Sequence, residues 1–120
     1  MVKLVFCVRR NPELGFDEFR RYWLDSHGPL VRRLRAQIPQ MQRYVQSHLI
    51  PGPASDALRA SRGAAEPYDG ITEVWFEGRD ALGGGGAAAA DAARQLLEDE
   101  SRFIDLARSA VFLTEEHEIF

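Results

Sequence analysis

The sequence is poor in cysteine and contains no long apolar run. Cys7 is the only cysteine among 120 residues. This excludes a disulfide framework and a cysteine-rich zinc module. The longest apolar segment falls far short of the ~20 residues that a membrane-spanning helix needs. The first residues lack the basic stretch, apolar core and small-residue cleavage site of a signal peptide. We therefore expect one cytoplasmic domain over residues 1–120, without membrane association.

The chain also lacks an excess of charge of either sign. It has 15 Lys and Arg against 18 Asp and Glu, for a formal net charge of −3. This balance argues against a dedicated nucleic-acid partner, which would need a basic surface. The histidines at positions 27, 48 and 117 have no metal-ligand spacing. Gly83–Gly86 lacks the Lys-Ser/Thr ending of a phosphate loop. We expect neither a metal nor another cofactor.

Alternating polarity predicts four strands. In the first, Val2, Leu4, Phe6 and Val8 form one apolar face. In the second strand, Tyr44 and His48 share one face, and Met41 and Arg43 lie on the other. In the third strand both faces carry apolar residues, which favours a central position in the sheet. The four segments are residues 2–9, 41–50, 71–77 and 110–118.

Helical spacing predicts two helical regions and a shorter turn. Apolar residues recur every three or four positions from Phe16 to Ile38, with a bend or restart expected at Gly28-Pro29. Alanines after the tetraglycine predict a helix from about Ala87 to Leu97. A second helical piece is expected over residues 100–107, with Asp99 and Glu100 as its acidic start. The connection at residues 51–69 is expected to hold a helical turn around 54–61.

The order of these elements predicts an α+β fold of the ferredoxin-like βαββαβ type. Both helices should cover one face of a four-stranded antiparallel sheet. Ile71 and Trp75 alternate with Val74 and Phe76, so apolar residues occupy both faces of the third strand. Two helices of one chain cannot cover both faces, and uncovered apolar sheet normally indicates a partner. We therefore expect a homodimer that closes an α+β barrel.

Two segments resemble a known family. Residues 19–31 contain the run W-x-x-x-H-G-P-L-V, and residues 68–76 read Y-D-G-I-x-E-x-W-F. With residues 99–105 and the closing acidic strand, they resemble the EthD domain family of the dimeric α+β-barrel superfamily over nearly the whole chain. The tetraglycine departs from the family's pattern.

The resemblance implies a homodimer with a cavity for an apolar small molecule between each sheet and its helices. The family includes proteins encoded with ether-degradation systems and dehydratases of fungal polyketide pathways. Related barrels isomerise muconolactones or oxidise aromatic polyketides without a cofactor, and others bind haem. The resemblance therefore defines a fold more closely than a reaction.

His27 is the first candidate catalytic residue. It lies on the apolar helical stripe, four residues after Trp23, so its ring should face the sheet or a cavity beside it. A carbonyl freed by the break at Gly28-Pro29 would orient an imidazole that transfers protons near neutral pH. The structural alternative is a histidine that only satisfies the freed backbone.

Glu73 is the second catalytic candidate. Strand alternation places it between Ile71 and Trp75, an apolar setting that suits a general acid or base acting with His27. The structural alternative is an ion pair with Arg43 or Arg9. Aromatic and polar side chains are expected to form the substrate-binding wall, although most would serve in any core. These residues are Phe6, Trp23, Tyr44, His48 and Trp75.

These residues favour a small cofactor-independent enzyme of the dehydratase or isomerase type. Its substrate would be apolar, aromatic or polyketide-like, and His27 would transfer the proton. The alternatives are a non-catalytic ligand-binding or structural dimer and a haem-linked barrel protein. A structure that separates His27 from Glu73 would favour the non-catalytic alternative.

Overall fold

The computed structural model describes all 120 residues and contains one four-stranded antiparallel sheet. The strand order is β2-β3-β1-β4, so β1 and β3 are central. The predicted ferredoxin-like order of strands and helices is confirmed, and β3 is central as expected. The strands are β1 (Val2–Val8), β2 (Met41–His48), β3 (Gly70–Phe76) and β4 (Ala110–Glu115).

The first helical region changes pitch in the middle. It consists of α1 (Phe16–Tyr22), a π-helical turn (Trp23–His27) and α2 (Gly28–Leu34), followed by a 3₁₀ turn (Arg35–Gln37). The amide of Gly28 donates to the carbonyl of Trp23, five residues back. Pro29 has no amide hydrogen and would crowd the preceding turn of a regular α-helix, which the wider turn avoids. The structure therefore has a continuous helix with a π turn just before the proline, where a bend or a restart was expected.

The second helical region is one helix, α4 (Gly86–Phe103). The prediction of a separate piece that starts at Asp99 and Glu100 is wrong, because the chain stays helical through both residues. A 3₁₀ turn (Leu106–Arg108) follows. The helical turn expected in the long connection is confirmed as α3 (Pro53–Arg62), and a further 3₁₀ turn (Arg79–Ala81) precedes the glycine run.

The sheet has one covered face. Val2 and Val8 of β1 and Thr72, Val74 and Phe76 of β3 are buried there. Both helical regions pack against this face, as predicted. The register of β2 shifts between Met41 and Arg43, which is a β-bulge. Regular alternation would place Met41 and Tyr44 on opposite faces of β2, and this expectation is wrong. Because of the bulge, both side chains pack beside Val74 on the covered face.

The buried core consists of two clusters. The first contains Val8, Phe19, Trp23, Phe103 and Ile104 and joins the start of the helical region to the end of α4. The second joins α2 to the sheet and contains Val31, Met41, Val74 and Phe76. Aromatic rings dominate the first cluster, so it is the more extensive anchor of the helices.

The other face of the sheet is not covered by any helix of the chain. It carries Val5, Cys7, Ile71 and Phe112 in adjacent register positions. The side chain of Phe112 is 50% exposed and that of Ile71 is 38% exposed. The uncovered apolar face expected from the sequence is therefore present. Separately, none of the helices is long and apolar enough to cross a membrane.

Gly70 makes room for Trp23. A Cβ atom at this position would lie 2.6 Å from Cη2 of Trp23 and 2.7 Å from the carbonyl oxygen of Ser47. Both distances are below van der Waals contact, and neither neighbour is the free end of a flexible side chain. The glycine in the Y-D-G-I run is therefore required by packing.

We expect Gly70→Ala to lower the free energy of unfolding by about 1–3 kcal/mol, because the added methyl group must displace a fully buried indole. Urea unfolding followed by tryptophan fluorescence measures the change. Gly78→Ala is the matched control, since no atom lies within 4 Å of its Cβ position. Equal stability of the two variants would contradict this account.

Candidate functional site

A cavity of about 430 Å³ lies between the covered face of the sheet and the helices. This volume is in the range of ~300–1,000 Å³ typical of small-molecule sites. The cavity opens between the two core clusters and is lined mostly by apolar side chains. Leu4, Phe6 and Val74 form part of its sheet wall, and Ala89, Ala93 and Leu96 form part of its α4 wall.

His27 stands at the end of the π turn and lines this cavity. Its side chain is buried, and its ring packs 5.0 Å from the ring of Phe103 between centroids. The Nδ1 atom lies 2.7 Å from Oδ2 of Asp99 on α4. The π turn and α4 therefore hold the imidazole from two sides.

Asp99 is a buried carboxylate with three donors. Its Oδ1 atom accepts hydrogen bonds from the Tyr22 hydroxyl and, at 3.0 Å, from the Arg102 guanidinium, while Oδ2 faces His27. Burial raises the pKa of Asp99, but the hydrogen bonds from Tyr22, His27 and Arg102 outweigh burial and lower it from the ordinary value. Asp99 is therefore ionised at neutral pH and accepts a hydrogen bond from Nδ1–H of His27.

The tautomer of His27 follows from this contact. Burial lowers the pKa of His27 below its ordinary value, and the hydrogen bond and charge of Asp99 oppose this shift only in part. The ring is therefore neutral at neutral pH, with the proton on Nδ1. The Nε2 atom keeps its lone pair and makes no hydrogen bond within the chain. A group in this state can accept a proton from a molecule in the cavity.

Glu100 enters the same cavity from α4. Its carboxyl makes no hydrogen bond or ion pair with another side chain, and no Lys or Arg lines the cavity. Burial raises the pKa of Glu100 to about 7, with a further contribution from the negative charge of Asp99. At neutral pH a large share of Glu100 is therefore protonated and able to donate a proton.

Four of the predicted site residues line the cavity, and three do not. The four are His27, Phe6, Trp23 and Tyr44. Burial raises the pKa of Tyr44, so its hydroxyl remains a neutral hydrogen-bonding group in the cavity wall.

Glu73 was expected to act with His27, and Trp75 to form part of the cavity wall, but the structure places neither side chain at the cavity. Both residues point to the uncovered face of the sheet, because the residues of β3 that face the helices are Thr72, Val74 and Phe76. The carboxylate of Glu73 pairs instead with the Lys3 ammonium at 2.8 Å. The Trp75 indole donates to a carboxylate of the C-terminal segment and does not enter the cavity.

His48 is likewise not part of the cavity wall. Its ring stacks on Trp23 with 4.3 Å between centroids, and its Nε2 atom lies 2.9 Å from Oε1 of Gln46. The helix break was expected to free a carbonyl that orients His27, and the structure shows a different arrangement. The side-chain amide of Gln46 donates to the carbonyl of Trp23 at 2.8 Å, so this carbonyl binds Gln46 while Asp99 orients the imidazole of His27.

Asp99 and Glu100 are candidate site residues that the sequence did not reveal. The buried positions of α4 include Ala89, Ala92, Asp99 and Phe103, so Asp99 interrupts an apolar stripe of helical spacing. The same signal singled out His27 on the first helix. In α4 this pattern of a polar residue on an apolar stripe was not recognised, because the helix was expected to end before Asp99. The structure also contains no group of three His, Cys, Asp or Glu side chains placed to hold a metal ion.

The sheet order, the helices on one face and the cavity between them define an α+β protein of the ferredoxin-like class. The model of the EthD domain matches residues 11–107. The chain therefore belongs to the EthD domain family, and the resemblance inferred from the two motifs is confirmed. No curated protein matches the sequence significantly.

Solved structures of similar fold come from several bacteria. An EthD family protein from Bacillus halodurans is 18% identical with a TM-score of 0.67, over 98% of this chain and 99% of that chain. An EthD-like protein from Ralstonia eutropha is 17% identical with a TM-score of 0.61, and the match covers 95% of this chain and 89% of that chain. A dimeric ferredoxin-like protein of unknown function from Thermobifida fusca is 18% identical with a TM-score of 0.59, and the match covers 96% of this chain and 90% of that chain.

The half-buried carboxyl of Glu100 in the cavity wall should make stability depend on pH. Its pKa rises from the ordinary 4.5 to about 7 on folding, so the folded state binds more protons between these values and loses stability as the pH rises through them. Glu100→Gln removes this loss. From about pH 4 to about pH 8, the variant should gain roughly 3 kcal/mol in unfolding free energy relative to wild type.

Urea unfolding at the two pH values measures this difference. Glu98→Gln is the matched control, because Glu98 lies on the exposed side of α4 in an ion pair with Arg94. The control should follow the wild-type pH dependence. Parallel stability curves for wild type and Glu100→Gln would contradict the raised pKa of Glu100.

Proposed function

We propose that this protein is a cytoplasmic, cofactor-independent enzyme of the lyase or isomerase type. It acts on an apolar, aromatic or polyketide-like small molecule by proton transfer to and from His27. The observation that carries the proposal is the position of His27, which lines an apolar cavity with one ring nitrogen hydrogen-bonded to Asp99 and the other without a partner in the chain.

The proposed reaction begins when Nε2 of His27 removes a proton from a carbon atom of the bound molecule. The imidazole becomes positively charged, and the ionised carboxylate of Asp99 stabilises that charge across the 2.7 Å hydrogen bond. Tyr22 and Arg102 hold the carboxylate in place, so little reorganisation is needed when the charge forms. Asp99 thus acts as a positioning residue for the base.

The lining of the cavity supports an apolar substrate. The walls offer aliphatic and aromatic contacts, and the polar groups are few: among them are Tyr44 and Thr72 on the sheet, and Gln40. Since no Lys or Arg lines the cavity, nothing in its wall compensates a strongly anionic ligand. A flat, neutral molecule with hydroxyl or carbonyl groups fits this chemistry.

The separation of His27 from Glu73 favours the alternative of a non-catalytic ligand-binding dimer. Asp99 supplies the carboxylate that Glu73 was expected to supply, and this favours catalysis. An imidazole needs no aspartate partner merely to line a binding pocket. We therefore retain ligand binding without turnover, and a haem-linked role, as outcomes of the test.

The test uses nitrobenzisoxazole, a compact aromatic compound whose ring opens to a coloured phenolate when a base removes its carbon-bound proton. We expect the protein to accelerate ring opening and His27→Ala to lower the rate by about 100-fold or more. His48→Ala is the matched control, because the side chain of His48 is partly buried but lies outside the cavity. Asp99→Asn should also slow the reaction, since an amide cannot stabilise the imidazolium.

Equal rates for His27→Ala and wild type would contradict the assignment of His27 as the base. Binding of nitrobenzisoxazole without ring opening would support the ligand-binding alternative. A shifted Soret band on incubation with haem, lost in His27→Ala, would support the haem-linked alternative.

We also propose that the working unit is a homodimer that buries the uncovered face of the sheet. Val5 and Phe112 are paired across β1 and β4 near the centre of this face. The exposed side chain of Phe112 and the partly exposed side chain of Val5 support the proposal, as do structural neighbours that are described as dimeric. A partner's sheet would remove these side chains from water.

Phe112→Asp should convert the dimer to a monomer, because it would bury an unpaired carboxylate between the two sheets. Sedimentation equilibrium should show the mass fall from that of two chains to that of one. Leu97→Asp is the control, since Leu97 is 55% exposed on α4, away from the sheet. A wild-type protein that sediments as one chain would overturn the proposal.

A further inference from the structure

We propose that Glu100 is the catalytic acid of this cavity and that the reaction is dehydration of a β-hydroxy carbonyl compound. This inference rests on the proposed function, since it assigns the partner of the base His27 and the class of substrate. Both side chains line the same cavity, one from the π turn and the other from α4.

The two adjacent carboxyl groups of α4 have different surroundings. Asp99 points away from the cavity and accepts hydrogen bonds from three side chains, whereas Glu100 lines the cavity and makes no hydrogen bond with another side chain. Keeping a carboxyl group in an apolar cavity without a partner is costly for folding. A structural role does not explain the cost, because Glu100 ties no other element in place. Its free carboxyl remains available to a molecule in the cavity.

The groups that face Glu100 leave it able to carry a proton. On its own helix the nearest charge is the carboxylate of Asp99, which disfavours a second negative charge. The sheet contributes the neutral hydroxyls of Tyr44 and Thr72, and the π turn contributes the neutral ring of His27. No basic side chain lines the cavity to draw the proton away.

In the proposed step, Nε2 of His27 takes the proton from the carbon next to the carbonyl group. The electrons of this C–H bond form the new C=C bond, and the bond from the β carbon to its hydroxyl oxygen breaks. Glu100 gives its proton to this oxygen, so water leaves. The imidazolium and the Glu100 carboxylate return to their starting states when the proton lost by His27 passes to solvent and Glu100 takes one up.

The presence of two separate groups favours dehydration over isomerisation. A base that removes a proton can return it to another carbon of the same substrate, so an isomerase can work with one imidazole. Hydroxide is a poor leaving group and needs a proton as the C–O bond breaks. A base and an acid in one cavity match this requirement.

The experiment compares two probes on the same protein. The first is nitrobenzisoxazole, whose weakly basic leaving oxygen needs no acid. The second is the aldol adduct of benzaldehyde and acetone, a β-hydroxy ketone that loses water to a strongly absorbing enone. For Glu100→Gln, which preserves shape and removes the proton donor, the ratio of dehydration rate to ring-opening rate should fall by at least about 100-fold. Glu98→Gln should leave both rates at the wild-type level.

The pH profile supplies a second readout. The wild-type dehydration rate should fall as the pH rises through about 7, because Glu100 then loses its proton. The ring-opening reaction should lack this fall, and so should the residual dehydration by Glu100→Gln. A merely structural role of Glu100 would change both reactions together.

The outcomes separate this inference from the proposed function. Loss of ring opening in His27→Ala together with equal dehydration by wild type and Glu100→Gln would overturn the role of Glu100 and leave His27 as the base. Wild-type protein that opens nitrobenzisoxazole but does not dehydrate the hydroxy ketone would also overturn it. Failure of wild type with both probes would overturn the proposed function itself.

Discussion

The hydrogen bond between His27 and Asp99 joins two helices across 72 positions of the chain, and the organisation of the site depends on it. It fixes the tautomer of His27, with the proton on Nδ1, and leaves Nε2 without a partner in the chain. It also fixes the helices relative to each other at the level where the aromatic cluster around Phe103 packs. Removal of either partner would leave a buried polar group unsatisfied, so the same contact serves stability and chemistry.

Two local departures from regular structure make this contact possible. The π turn has Trp23 at its start and His27 at its end, and both side chains are buried in the interior. Gly70 lets the indole of Trp23 lie directly on the sheet, which brings the helix close to β3. The W-x-x-x-H and Y-D-G-I runs are thus complementary halves of one packing arrangement, in which the glycine of one receives the tryptophan of the other.

The order of strands and helices could be predicted from periodicity, and His27 could be found because a polar residue on an apolar stripe is visible in sequence. Phe6 and Tyr44 were found because simple alternation holds at their positions. The position of Glu73 at the cavity was wrongly expected for a physical reason. Because β3 is apolar on both faces, alternation shows which residues share a face but not which face meets the helices. Asp99 and Glu100 were missed because local charge suggested a helix start, whereas tertiary packing continues the helix through both residues. The bulge in β2 and the π turn have no simple periodic signature, since each inserts one residue into a regular repeat.

The alanine-rich face of α4 has a consequence for how such a protein diversifies. Ala89 and Ala93 border the cavity, and their small side chains leave the space that a bound molecule would fill. These positions lie about two and three turns from Glu100 along the same helix, so larger side chains there would reshape the cavity while His27 and Glu100 stay in place. The shape of the cavity and the carboxyl group in its wall are therefore set at separate positions of one helix. Substitutions of these alanines would change which molecules fit the cavity and leave its polar groups unchanged.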